Sequence, residues 1–201
     1  MIKDKIFRFV AAAFVVCSGF LAGMFIGGAV YYEIAGCAKI KTVVVQEKHI
    51  IVLAGVIVPG TAFEILQQID RVPAGEPITI YIDSPGGYVD ESNAIIDRIK
   101  TDNHVETCKV RGEAASAAAL ITSACEKVEV SPTSYILFHL PFVPSPDGQK
   151  LRSPEMIAYY LKVQEETLHI SKILGDKYYL YASGQDVELT PKEFLDGLNR
   201  R

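Results

Sequence analysis

Between residues 49 and 138, short apolar runs alternate with stretches whose apolar residues recur every three or four positions. The runs are HIIVLAGVIV at 49–58, ITIYI at 78–82, VETCKV at 105–110, KVEV at 127–130 and YILF at 135–138. A near-continuous apolar, β-branched run suits a strand covered on both faces. Helical patterns lie between the first three, at 61–71 with Phe63, Ile65, Leu66 and Ile69 on the apolar side, and at 90–100 with Ile95, Ile96 and Ile99. A third helix is predicted at 116–125. Pro59-Gly60 and Pro73-Ala74-Gly75 punctuate the series, and Thr61 is placed to cap the first helix. Strand, helix, strand, helix, strand leaves few architectures. It predicts an α/β fold of βαβ units with right-handed crossovers and a mostly parallel sheet. Such sheets gather reactive groups at the carboxyl ends of their strands.

Beyond 138 the pattern changes. Residues 140–153 read as a proline-containing loop. Pro154 opens a long amphipathic helix to about residue 174, where Gly175 stops it. The remainder holds a Tyr-rich patch, a Ser183-Gly184 turn and a last short helix starting at Leu189-Thr190-Pro191.

The N-terminal quarter has another character. Residues 9–32 are 24 consecutive residues without a charge. A bilayer core about 30 Å thick needs roughly 20 apolar residues of helix, so the run predicts one transmembrane helix. The chain then divides into a basic tail (1–8), the span (9–32), a connector (33–48) and one globular domain (49–201). Lys3, Lys5 and Arg8 before the span, against Lys39 and Lys41 after it, favour a cytoplasmic N-terminus and a domain outside the cytoplasm. Ile34-Ala35-Gly36-Cys37 offers a second route to the membrane, as a lipobox ending in a lipidated Cys37. Cys108 and Cys125 are the only cysteines of the globular part, and either a disulfide or two buried thiols fits them. With 20 Lys and Arg against 24 Asp and Glu, the chain lacks the basic surplus of a nucleic-acid binder. It has no metal-ligand or nucleotide-binding motif, so no cofactor is expected.

Three motifs carry chemistry. Gly112-Glu113-Ala114-Ala115-Ser116-Ala117-Ala118-Ala119 sets one hydroxyl among very small residues at a helix start. The amides there are unpaired and carry partial positive charge. Ser84-Pro85-Gly86-Gly87 follows a strand, and its glycines free the backbone to aim an N–H into a cleft. His139 follows the strand ending at Phe138, and an imidazole serves as a base near neutral pH. Each has a plainer reading: Ser116 as a helix cap, the glycines as a tight turn, His139 as a structural histidine. A serine attacks a carbonyl only when one group takes its proton and another receives the charge on oxygen. All three parts are here, each at the end of a strand.

In this order the motifs resemble the proteolytic subunit of the Clp protease, within the wider ClpP/crotonase superfamily. The resemblance covers about residues 49–198. It implies a serine endopeptidase with Ser116 as nucleophile, His139 as general base, and an oxyanion hole made of Gly86 or Gly87 with the N–H of Ala117. It also implies peptide or unfolded-protein substrates, homo-oligomers, and a role for the helix from Pro154 in ring stacking; no ATPase partner follows from it. The triad acid has no unambiguous match. Asp186 is the nearest carboxylate and Asp176 the next, and a Ser–His dyad is an alternative. The membrane span departs from the family. A sister branch, signal peptide peptidase A, is membrane-anchored and uses Ser–Lys chemistry, with Lys177 the candidate base. A crotonase-type acyl-CoA enzyme and a non-catalytic scaffold share the fold.

Overall fold

The structure is a computed structural model that describes residues 23–26, 29–32, 49–101 and 105–201. It comprises two compact units, Met1–Gln46 and Glu47–Arg201. In the first, β1 (Gly23–Ile26) and β2 (Ala29–Tyr32) pair antiparallel, with Gly23 opposite Tyr32 and Ile26 opposite Ala29. These residues therefore do not form the transmembrane helix predicted at 9–32. Two apolar quartets separated by Gly27-Gly28 carry a hairpin signal, and paired glycines weaken a helix by about 1 kcal/mol each. Among the described residues no helix is long and apolar enough to cross a membrane. The rest of the run, the basic tail, the connector and Cys37 lie outside the described residues.

The second unit opens with β3 (His49–Ala54), α1 (Thr61–Asp70), β4 (Ile78–Ser84), α2 (Val89–Thr101), β5 (Val105–Ala115) and α3 (Ala117–Ala124). It continues with β6 (Lys127–Val130), β7 (Tyr135–Phe138) and a small hairpin of β8 (Val143–Pro144) and β9 (Lys150–Leu151). Then follow α4 (Pro154–Leu168), α5 (Ile170–Leu174), α6 (Tyr178–Ala182), β10 (Val187–Leu189) and α7 (Pro191–Leu198). The main sheet runs β10-β7-β5-β4-β3, with β6 also against β5. Every pairing in it is parallel except β10 on β7. The α/β reading thus holds.

β5 organises the molecule. Its residues Thr107 to Val110 pair with β6, and Glu113 to Ala115 pair with β7. The strand runs five residues past the apolar stretch at 105–110, because Ala114 and Ala115 are buried, Ala114 laddered to both β4 and β7 and Ala115 to β7. All eight residues of α3 are buried, and small side chains let this helix lie close on the sheet. Cys108 on β5 and Cys125, just after α3, are joined by a disulfide with Cα atoms 5.9 Å apart. It closes a loop that contains Ser116 at its centre. Cross-linking residues 17 apart stabilises a fold by about 3 kcal/mol in the chain-entropy account.

Several local expectations are corrected. Thr61 is the first helical residue of α1, and its hydroxyl accepts from the Val58 amide at 3.0 Å. The Glu91 carboxylate on α2 caps α1 instead, accepting the Gly60 and Ala62 amides at 3.1 and 2.7 Å. Phe63, expected inside, is 66% exposed, whereas Ala62, Ile65 and Ile69 are buried. The long helix breaks at His169, which is left-handed at φ 53°. There Glu165 turns the chain by accepting both the amide and the hydroxyl of Ser171, at 2.9 and 2.8 Å.

Candidate active site

Ser116 stands between the last residue of β5 and the first of α3. Its backbone is at φ 55°, ψ −123°, a conformation that costs a non-glycine residue about 1–3 kcal/mol. It is over-determined by its neighbours. The Ser116 amide donates to the Leu137 carbonyl on β7 at 2.8 Å, and its carbonyl accepts from Leu120 in α3 at 3.2 Å. The side chain makes no capping hydrogen bond, so the plain cap reading fails. The result is a half-buried hydroxyl on a sharp strand-to-helix turn, the geometry of a nucleophile elbow.

The glycine turn after β4 lies against this elbow. A Cβ on Gly86 would sit 2.6 Å from the Ala115 oxygen, 2.8 Å from Ser116 Cβ and 2.9 Å from the Ala117 nitrogen. Ile57 pins the turn: its amide donates to the Gly86 carbonyl at 2.8 Å, and its carbonyl accepts from Tyr88 at 3.0 Å. The Gly86 amide is committed to the buried Ser84 hydroxyl at 3.1 Å. The amides of Gly87 and Ala117 have no acceptor among the described residues. Of the three candidates for an oxyanion hole, Gly87 and Ala117 therefore keep free donors, and Gly86 supplies the close approach.

His139 follows β7, the strand paired with the end of β5. Ala115 is in register with Leu137, so Ser116 and His139 both lie just past the carboxyl ends of adjacent parallel strands. They are not hydrogen-bonded to each other, and catalytic contacts are often loose before substrate binds. His139 Nδ1 lies 2.9 Å from the Leu140 carbonyl. A carbonyl only accepts, so this bond assigns the proton to Nδ1 and leaves Nε2 as the basic nitrogen. Arg152 braces the segment, donating to the carbonyls of Leu140 at 2.9 Å, Pro141 at 3.1 Å and Gly184 at 3.2 Å. The Phe142 ring packs 5.4 Å from the imidazole. Neither Arg152 nor Phe142 is visible as a site residue in the sequence, because both act across a loop.

The acid candidates separate. Asp186 immediately precedes β10, and both its oxygens bond Lys150 Nζ, at 3.0 and 3.3 Å, rather than the histidine. Asp176 lies in a 3-10 turn, Gly175–Lys177, and makes no hydrogen bond to His139. Lys177 donates to the Glu188 carbonyl at 3.0 Å and pairs with Glu193 at 2.9 Å. Lys177, with the amide and hydroxyl of Thr190, pulls the Glu193 carboxyl down to about 2. It is engaged at the cap of α7, so no Ser116–Lys177 pair exists for Ser–Lys chemistry.

Residues 35–166 match the family model described as Clp protease. The chain is 31% identical over 132 residues to ATP-dependent Clp protease proteolytic subunit 2 of Treponema denticola, covering 63% of this chain and 64% of that one. It is 31% identical over 150 residues to the ATP-dependent Clp protease proteolytic subunit of Ligilactobacillus salivarius, covering 72% of each. The chain thus spans about two thirds of the relatives it matches. A solved ClpP1 point mutant from Listeria monocytogenes superposes with a TM-score of 0.59 at 23% identity, covering 74% of this chain and 86% of that one. That likeness is one of fold.

Proposed function

Because the chain belongs to the Clp protease family, we propose that it is a serine endopeptidase whose nucleophile is Ser116. The observation that carries this reading is the strained elbow at Ser116, packed on the Gly86-Gly87 turn with an uncapped hydroxyl. In the reaction, Ser116 Oγ attacks the scissile carbonyl carbon while its proton passes to His139 Nε2. The carbonyl oxygen, now negative, lies between the Gly87 and Ala117 amides. The C–N bond then breaks, the amine leaves with the proton from His139, and water activated by the same nitrogen hydrolyses the acyl-enzyme. An extended peptide supplies backbone hydrogen bonds as a strand beside the glycine turn, a mode tolerant of sequence. A fluorophosphonate probe tests the reading. It is expected to label the wild-type protein and to spare a folded Ser116→Ala variant; no labelling of a folded wild-type protein would end the proposal.

We also propose that the chain works as a homo-oligomer held at a membrane, with the second unit outside the cytoplasm and Asp186 completing the triad. Exposed Ile50, Val52, Val56 and Phe63 are apolar side chains for a second copy to cover. The 24-residue uncharged run at 9–32 supports attachment by its apolarity. The Cys108–Cys125 disulfide supports an oxidising compartment. Membrane fractions washed with alkaline carbonate are expected to retain the full chain and to lose a variant lacking residues 9–32. Retention of both, or of neither, would rule out attachment through this run.

A further inference from the structure

The β8–β9 hairpin follows His139 by three residues and carries Lys150. The Lys150 ammonium lies 5.2 Å from the centre of the Phe142 ring, which in turn packs on the imidazole. Asp186 is placed to reach that imidazole. Val187 and Phe138 form the last rung of the antiparallel ladder, and Asp186 and His139 are the next residues beyond that rung, one on each chain segment. Facing residues of such a ladder have Cβ atoms about 4.5–5.5 Å apart and point to the same side. On that side Tyr135 of β7 donates to the Glu188 carboxylate of β10 at 2.9 Å, so side chains of the two strands do meet there. The Asp186 carboxylate nevertheless goes to Lys150, and His139 Nδ1 goes to a backbone carbonyl.

Resting on the peptidase reading above, we propose that Lys150 is a positioning residue that latches the triad open: it holds Asp186 off His139, and the acid joins the imidazole when the ammonium is drawn away. The charged side chains on the segments next to His139 are Asp186 just before β10, Lys150 from the hairpin and Arg152 two residues before α4, with Glu188 on β10 itself. Lys150 and Asp186 are 43% and 45% exposed. Water and salt screen such a pair, so its release corresponds to about a two- to five-fold change, or about 0.4–1 kcal/mol at 1.4 kcal/mol per tenfold. Salt in solution, or a substrate carbonyl or carboxylate at the hairpin, is enough to shift it.

The test pairs peptide hydrolysis with an NMR titration of His139 in Ser116→Ala protein. Lys150→Gln is expected to raise kcat about two- to five-fold. It should also raise the His139 pKa, because a carboxylate alongside favours the imidazolium; the acid limb of the pH profile then moves to higher pH. Added salt should activate the wild type and leave Lys150→Gln unchanged. Lys150→Arg, which keeps a cation, should behave as wild type, and Asp186→Asn should cancel the Lys150→Gln gain. An unmoved His139 titration in Lys150→Gln, or a gain that survives Asp186→Asn, would overturn the latch. The titration needs no turnover, so a protein that cleaves nothing would refute the peptidase reading while the latch was still decided.

Discussion

Replacing Ser116 with alanine is expected to lower kcat for peptide hydrolysis by about 10⁵–10⁶-fold, the scale on which removing an activated serine acts. Replacing it with glycine should be equally damaging to activity yet leave a more stable protein. Alanine keeps a Cβ and with it the cost of φ 55°, ψ −123°. Glycine accepts that conformation, relieving about 1–3 kcal/mol of strain, and gives back about 0.5–1 kcal/mol in chain entropy. A net advantage of about 1 kcal/mol for Ser116→Gly over Ser116→Ala should therefore appear as a higher urea midpoint with unchanged slope. Equal midpoints would mean that the elbow is not strained. A kcat within tenfold of wild type in either variant would remove Ser116 from the chemistry.

Gly87→Ala is expected to destabilise the domain by about 2–6 kcal/mol. Its new Cβ would lie 2.0 Å from the Ile57 oxygen and 2.8 Å from the Ile57 carbonyl carbon, at φ 151°. Both obstacles are backbone, so the main chain must move; overpacking costs about 1–3 kcal/mol and the forced conformation about as much again. Movement here breaks the bonds that fix the turn against the elbow, so activity should fall with stability. Gly55→Ala is the control. It also has a positive φ, 76°, but nothing lies within 4 Å of its added methyl, so only the conformational part is lost. Urea melts of the two variants separate close approach from backbone preference. A Gly87→Ala protein as stable as Gly55→Ala would show that Ile57 yields freely.

The βαβ frame was legible because long apolar runs with β-branched residues have one good use, and the limits of β6 and β7 match the runs KVEV and YILF. β10 was missed because Val187-Glu188-Leu189 is too short to show a period. The break at His169 was missed because no Gly or Pro marks it; a carboxylate one turn earlier makes the turn. In the site, small residues around Ser116 and paired glycines were readable because close approach leaves a compositional trace. The choice between Gly86 and Gly87 was not, since it depends on where the Ser84 hydroxyl points. Nor was the partner of Asp186, a lysine 36 positions away whose contact depends on how a hairpin folds back.

The helix behind the nucleophile has no residue at the surface. A rod enclosed on every side has nowhere to travel, so it acts as a fixed anvil against which other parts work. Divergence in substrate preference among proteins built this way should accumulate in the exposed hairpin, where a side chain changes without repacking the interior.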